Sequence, residues 1–458
     1  MASRLLAAAR RSDRGCHGSG RIGARRRSGT ATALVTESQG SSQNPWPTRT
    51  PEDPLSDPEA DVVIAGAGAA GLSCAVQFSQ AGLTRRLRVL LLEPRTEYQH
   101  DRTWCFWNVL PNPFEDCVSH RWGKWSVADP SRLVVRASPG LTYNHLPADT
   151  FYDRARQILE ADSNVELRHG VRVGELEQEA DLVRVSTDSG EWLARLVLDS
   201  RPRPADNRRR PAPDHRCPRL LQHFHGETIR TESDVFDPSV ATVMDFRVSQ
   251  DRGIHFLYLL PFDARTALVE DTYFADAPRP IESYTEEIAG YVRARFGVDR
   301  FEVLHSETGA IPMDASPASA SSSPRILNIG IRGGAARPST GYAFLAIQRN
   351  AAILTERLTT WAQDPTGDPP GPIRYYSARS AWLDRVFLSH LVRCPERAPE
   401  MFLRMFERVP PDALARFLFD GGSFADDLRV MSALPAAPLV TEAFRVFGPC
   451  DPTRITRA

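Results

Sequence analysis

Glu270 and Asp271 stand side by side in an otherwise apolar run, Ala267-Leu-Val-Glu-Asp-Thr272. Burial strips a carboxylate of hydration and raises its pKa, so that it carries a proton near neutral pH, as a general acid needs. The run has the composition of a strand, and successive strand residues face opposite sides, so only one of the two acids can face a given pocket. A solvated strand end is the competing reading of the same pair. Asp245 and Arg247 flank Phe246 in a neighbouring run and point to one side, where they form a structural ion pair or orient the acid.

A second constellation is Gly66-x-Gly68-x-x-Gly71, with Glu93 twenty-two residues after the last glycine. Gly66 permits a tight turn, Gly68 lets backbone approach a pyrophosphate, and Gly71 lets a helix pack closely on a sheet. The helix N-terminus then offers amides to phosphates, and Glu93 accepts from ribose hydroxyls. A further glycine-rich segment runs from Asn328 to Tyr342, with glycines at 330, 333, 334 and 341 and Pro338 fixing the approach. Such a turn brings backbone close to a flat cofactor, and the two segments together favour FAD over NAD. The seven cysteines are scattered, with no Cys-x-x-Cys pair, and no metal-ligand spacing, Ser-His-Asp arrangement or Walker loop occurs. No metal site is expected.

The fingerprint requires a strand before it and a helix after it. Asp61 to Ala65 is a short buried strand, Ala69 to Gln80 a small-residue helix ended by Gly82, and Arg88 to Leu92 a second strand. Val165 to Val173 and Val183 to Val197 alternate around turns at Gly170 and Gly190, which predicts a meander. Thr242 to Val248, His255 to Leu260 and Thr266 to Tyr273 form another β-rich group. A polar insert from Arg201 to His215 and an Ala-Ser run from Ala315 to Ser323 have the composition of loops. Past Pro338 the pattern is helical, from Phe344 to Trp361 and on to about Ala443. The expected fold is α/β: a Rossmann-type FAD-binding fold with a mixed-sheet substrate domain and a C-terminal helical cap. Its expected parts are an extension at 1–60, an FAD-binding domain interleaved with a β-rich substrate domain at 61–345, and a helical region at 346–458.

From about Asp61 to Arg445 the chain resembles the lycopene cyclases. The resemblance rests on the fingerprint with Val89-Leu-Leu-Leu-Glu93, on His100-Asp-Arg-Thr-Trp-Cys-Phe106, and on Arg337-Pro-Ser-Thr-Gly-Tyr342. Its most specific part is Val243-Met-Asp-Phe-Arg247 and Leu259-Leu-Pro-Phe262 through Leu268-Val-Glu-Asp-Thr272. It implies acid-initiated closure of the ends of lycopene, or another linear carotene, into β-ionone rings. The flavin would be reduced, with no net redox change and NADPH as electron donor. It places the essential acid at Glu270, with Asp271 behind it or in support; Asp245 is a further candidate from its strand position alone. The resemblance places the cofactor at Gly66, Gly68, Gly71, Glu93, Thr103, Gly333, Gly334, Thr340 and Gly341. Trp104, Phe106, Trp107, Phe256, Tyr258 and Tyr342 are candidates for aromatic faces around a cation, though most aromatics are simply core.

The alternative is a flavin monooxygenase or isoprenoid reductase. A hydroxylase would carry Gly-Asp where this chain has Gly330-Ile331, and Asp-Gly where it has Asp199-Ser-Arg-Pro202. A net charge of -1 makes nucleic acid a poor partner. No run approaches the eighteen or so apolar residues of a spanning helix, so association with the membrane surface is expected to be peripheral. The expected location is the cytoplasm of a bacterium, with a plastid as the alternative, because Met1 to Gly29 holds eight arginines against one acid. That bias is partly background, since Lys124 is the one lysine in the chain.

Overall fold

The computed structural model describes residues 58–202, 216–316, 321 and 323–448. The arginine-rich opening lies outside these residues, as do nearly all of the tether that follows it, most of the polar insert and most of the Ala-Ser run. The chain opens with β1 (Ala60–Ala65), α1 (Ala69–Gln80), β2 (Val89–Glu93), β3 (Thr103–Trp107), β4 (His120–Trp122), β5 (Lys124–Asp129), β6 (Arg132–Ala137) and β7 (Tyr143–Pro147). Next come α2 (Ala148–Glu160), β8 (Val165–His169), β9 (Val173–Glu179), β10 (Leu182–Thr187), β11 (Gly190–Asp199), β12 (Arg219–Arg230), β13 (Val240–Asp245), β14 (Ile254–Pro261) and β15 (Thr266–Ala275). The rest is α3 (Ile281–Phe296), β16 (Glu302–Asp314), β17 (Ile326–Asn328), α4 (Phe344–Trp361), α5 (Ala378–Arg393), α6 (Ala398–Arg408), α7 (Pro411–Phe419), α8 (Phe424–Ala433) and α9 (Ala436–Arg445).

One seven-stranded sheet has the order β8-β2-β1-β11-β10-β9, with β17 also on β11. Its β8, β2, β1, β11 and β17 pair in parallel, and the inner β1 and β2 are nearly all apolar, as strands covered on both faces should be, whereas the edge strand β8 is partly exposed and more polar. Helices α1, α2 and α4 bury one face through Val76, Phe78, Phe151 and Leu354. The expected meander is half correct. β9, β10 and β11 are antiparallel neighbours, but β8 lies at the opposite edge, parallel to β2, so Gly170 is a crossover corner and not a hairpin turn.

The second seven-stranded sheet runs β16-β12-β15-β14-β13-β5-β6. Its face toward α3 is apolar around Val269, Leu257, Ile288 and Val292. Its other face packs on the C-terminal helices through Phe246, Phe256, Phe274, Phe402 and Leu388. A three-stranded sheet, β3-β7-β4, carries Thr103 to Trp107 between the two larger ones.

Candidate active site

The first glycine turn follows from β1 running into α1 with no room for side chains. Gly66 has φ +93°, which side-chain-bearing residues rarely adopt, and a Cβ there would stand 2.7 Å from the Ser200 hydroxyl. A Cβ on Gly71 would lie 2.1 Å from the Gly66 carbonyl, so the first turn of α1 rests directly on the loop. At Gly68 the added carbon would meet nothing within 4 Å among the described residues, and this residue N-caps α1 without a side-chain cap. Open space before uncapped amides is what a pyrophosphate requires. Glu93 accepts from the Ala67 amide at 2.8 Å and from the Arg95 amide and side chain at 3.1 and 2.7 Å. Burial pushes this carboxyl up, but Arg95 and the amides outweigh it and hold it below its ordinary value. A carboxylate has about four acceptor sites, so a ribose hydroxyl still finds one.

The second turn lies against the first. A Cβ on Gly330 would stand 2.8 Å from that of Ala70 in α1, and Gln348 of α4 donates to Ser73 of α1 at 2.8 Å. The Thr340 and Gly341 amides close back on the Arg337 carbonyl at 3.2 and 2.8 Å, and Gly333 and Gly334 end a short 3-10 turn. Arg337, 1% exposed, pairs with Asp384 of α5 at 3.0 Å and donates to the Phe417 carbonyl of α7, while Ser339 also donates to Asp384. The residues of both turns thus suit an extended dinucleotide such as FAD. Thr103 departs from this grouping, since it lines a cavity with Glu307 and its hydroxyl acts to lower that carboxyl.

The antiparallel register of the second sheet places Tyr258, Glu270, Gly226 and Glu307 in one cross-strand row over β14, β15, β12 and β16. Directly opposed residues share a face, so the two glutamates flank the glycine on the same side. A Cβ on Gly226 would lie 3.5 Å from Glu270 Cβ and 3.4 Å from Glu307 Cγ. Burial raises the Glu270 carboxyl to about 8, the neighbouring Glu307 adds to the rise, and a 2.7 Å hydrogen bond from the Thr272 hydroxyl opposes it. Burial also raises Glu307, against the Thr103 hydroxyl and Arg102. Glu270 therefore carries its proton at neutral pH.

Asp271 and Asp245 lie on the other side of the sheet. Their row is Asp245, Leu257, Asp271, His225. Asp271 meets His255 Nε2 at 2.5 Å, and His255 stacks on Tyr273 with ring centroids 4.0 Å apart. Asp245 pairs with Arg247 at 2.5 Å and accepts from Tyr291 of α3 at 2.8 Å. The geometry of Asp245 is that of a structural ion pair.

Toward the second glycine turn, Glu270 faces a tyrosine chain. Tyr258 donates to the Tyr143 hydroxyl at 2.8 Å, and Tyr143 lies 3.5 Å from that of Tyr342. Trp107 packs 4.5 Å from Tyr143 and 5.9 Å from Tyr342. Trp104 and Phe106 instead stack on Phe344 in the helix-sheet core, and Phe256 lies among Phe246 and Phe274. On the other flank Glu307 lines a cavity of about 250 Å³ with His100, His120, His145, His305 and Ser119. One ligand-type atom from each of His100, His305 and Glu307 lies within 4.8 Å of the others, a cluster that chain spacing does not reveal. Glu307, Tyr143 and His145 were invisible as site residues in the sequence. Strand pairing alone brings them in.

Residues 61–444 match the family described as lycopene cyclase protein. The chain is 26% identical over 402 residues to a lycopene beta-cyclase of Pantoea ananas, covering 84% of this chain and 97% of that one. It is 31% identical over 231 residues to a lycopene beta-cyclase of a Paracoccus species, covering 48% and 58%. A geranylgeranyl bacteriochlorophyll reductase-like protein of Thermoplasma acidophilum has the same fold, with a TM-score of 0.58 at 11% identity over 85% of this chain and 99% of that one. The family match takes in both glycine turns, the Glu270 strand and the helices behind them, and the chain belongs to the lycopene cyclase family.

Proposed function

We propose that this protein is a lycopene β-cyclase, closing one or both linear ends of lycopene into β-ionone rings to give γ- or β-carotene with no net redox change. The observation that carries the reading is Glu270, a buried carboxyl raised to about 8 and facing aromatic side chains. Protonating an isolated alkene demands an acid that keeps its proton in a dry place, and the Glu270 side of the sheet provides it. Thr272 holds the carboxyl in one orientation. The rings of Tyr143, Tyr258, Tyr342 and Trp107 turn π faces and little water toward the cation that follows. Asp271 and Asp245 act from behind, fixing β15 and β13 through His255, Arg247 and Tyr291.

Gly66, Gly68, Gly71 and Glu93 would hold the adenosine and pyrophosphate half of FAD, and Gly333, Gly334, Thr340 and Gly341 the flavin half, with Thr103 between them and the acid row. Reduced FAD, with NADPH as the donor, would supply a negative charge that stabilises a nearby cation in low dielectric. For a substrate dissolved in the bilayer the protein needs a membrane face, and α8 and α9 supply one. Phe424, Leu428 and Met431 on α8, and Val440, Phe444 and Phe447 on and after α9, are exposed at i, i+4, i+7 spacing. Among the described residues no helix is long and apolar enough to cross a membrane, so this contact is peripheral. Expression in lycopene-accumulating bacteria tests the proposal. Cyclic carotenes should appear with the wild type and not with Glu270→Gln, and unchanged lycopene with both would refute it. NADPH consumed in step with product would instead indicate the reductase or monooxygenase reading.

A further inference from the structure

Once Glu270 has given its proton to the substrate, it needs another before the next ring closes. We propose that Glu307 returns it, acting as a carboxyl relay between Glu270 and the histidine-lined cavity; this rests on reading Glu270 as the acid. Glu307 lines the cavity and Glu270 does not. Between them stands Gly226, which puts no side chain in the gap. Glu307 is 7% exposed, and its Oε2 finds no hydrogen-bond partner among the described residues. The Nε2 atoms of His100 and His305 are also buried and unpartnered among those residues, and all three residues line the same cavity. A space of about 250 Å³ with such edges has the size and polarity to hold several waters. Ser119 and His145 continue the polar wall with a 2.6 Å hydrogen bond, and burial pushes His145 down to about 3, so its imidazole is neutral.

In the transfer, the O–H bond of the Glu307 carboxyl breaks as one forms on the Glu270 carboxylate. Glu307 then takes a proton from cavity water, and the proton lost when the carbocation closes to product balances the one drawn in. No electrons move. The groups facing the pair are Cys105 of β3, Tyr258 of β14, Thr272 of β15, and Thr103 with the Arg102 and Asp101 loop before it, while Asp271 of β15 and His225 of β12 act on it from the opposite side of the sheet. Glu307 is the like charge that raises Glu270 most, and Asp101 is the like charge that raises Glu307.

The test uses FAD-loaded Glu307→Gln, which keeps the acceptor for Thr103 and loses the transferable proton. It should close about one ring per enzyme at near wild-type speed and then slow at least about tenfold, whereas the wild type shows no such burst. The alkaline limb of its pH-rate profile should also move to lower pH, because Glu270 no longer has a carboxylate beside it. A change confined to fold stability would move neither. Gly226→Ala, which wedges a methyl between the carboxyls, should show the same burst in milder form. Steady turnover within twofold of wild type and an unmoved limb in Glu307→Gln would overturn the relay. If Glu270→Gln also turns over normally, the acid itself is misassigned; if it is inactive, only the relay fails. Stoichiometric Zn²⁺ binding that needs Glu307, together with loss of turnover on chelation, would make the cavity a cation site and also overturn it.

Discussion

Replacing Glu270 by Gln removes a transferable proton and, with it, a buried group that ionises at some cost to the fold, so rate and stability should move in opposite directions. In the folded protein the carboxyl is raised from 4.5 to about 8. A raised folded-state pKa gives stability that is fully present below 4.5 and lost as pH climbs through about 8, because over that window the unfolded chain ionises first. At about 1.4 kcal/mol per pH unit, the whole interval is on the order of 5 kcal/mol. Gln stays neutral and can still accept from Thr272, so the variant lacks this slope. Urea denaturation of FAD-loaded protein should find the two nearly equal at pH 5 and the variant clearly more stable at pH 8.5. Cyclised carotene per enzyme should fall at least about a hundredfold. Wild-type turnover should itself decline as pH rises through about 8. Near-normal turnover by the variant, or a stability gap that does not widen with pH, would refute the reasoning.

Gly68→Val should fold, since the side chain enters open space, yet fail to retain FAD; a yellow and fully active variant would contradict the cradle. Asp271→Asn should lose about 2 kcal/mol of stability by weakening the buried bond to His255, with turnover reduced less than in Glu270→Gln. A larger loss of turnover than in Glu270→Gln would move the acid one residue along. Phe424→Asp with Phe444→Asp should release the protein from lipid vesicles while its absorbance still reports bound flavin. Undiminished sedimentation with vesicles would rule out α8 and α9 as the docking face.

Local patterns carried the parts of the fold whose partners are near in sequence. The strand, turn and helix around Gly66 occur as read, and Phe344 to Trp361 is helical over those residues, because Pro338 and apolar periodicity act within a few turns. Alternation also separated Glu270 from Asp271 correctly onto opposite faces. The two longest strands near the site, β12 and β16, escaped notice. β12 buries His223, His225 and Glu227 on one face and carries Gln222 and Thr228, partly buried, on the other, which erases the two-residue hydrophobic period. β16 is an edge strand exposed at most of its positions. Glu307 enters the site only because β16 pairs with β12, which no local signal encodes. β8 was misplaced for the same reason, since its partner β2 lies across the whole of α2.

The Arg337 and Asp384 pair has a consequence for modularity. Its guanidinium belongs to the loop proposed to carry the flavin, while its carboxylate belongs to α5, in the helical region that ends in the exposed apolar face. Removing one partner of such a buried pair leaves an uncompensated charge, at about 3–5 kcal/mol. The C-terminal helices are therefore not a detachable anchor. A chimera that exchanged them between relatives would have to inherit Asp384 together with the Phe417 carbonyl in register, or the graft would disturb the cofactor loop before it altered where the protein resides.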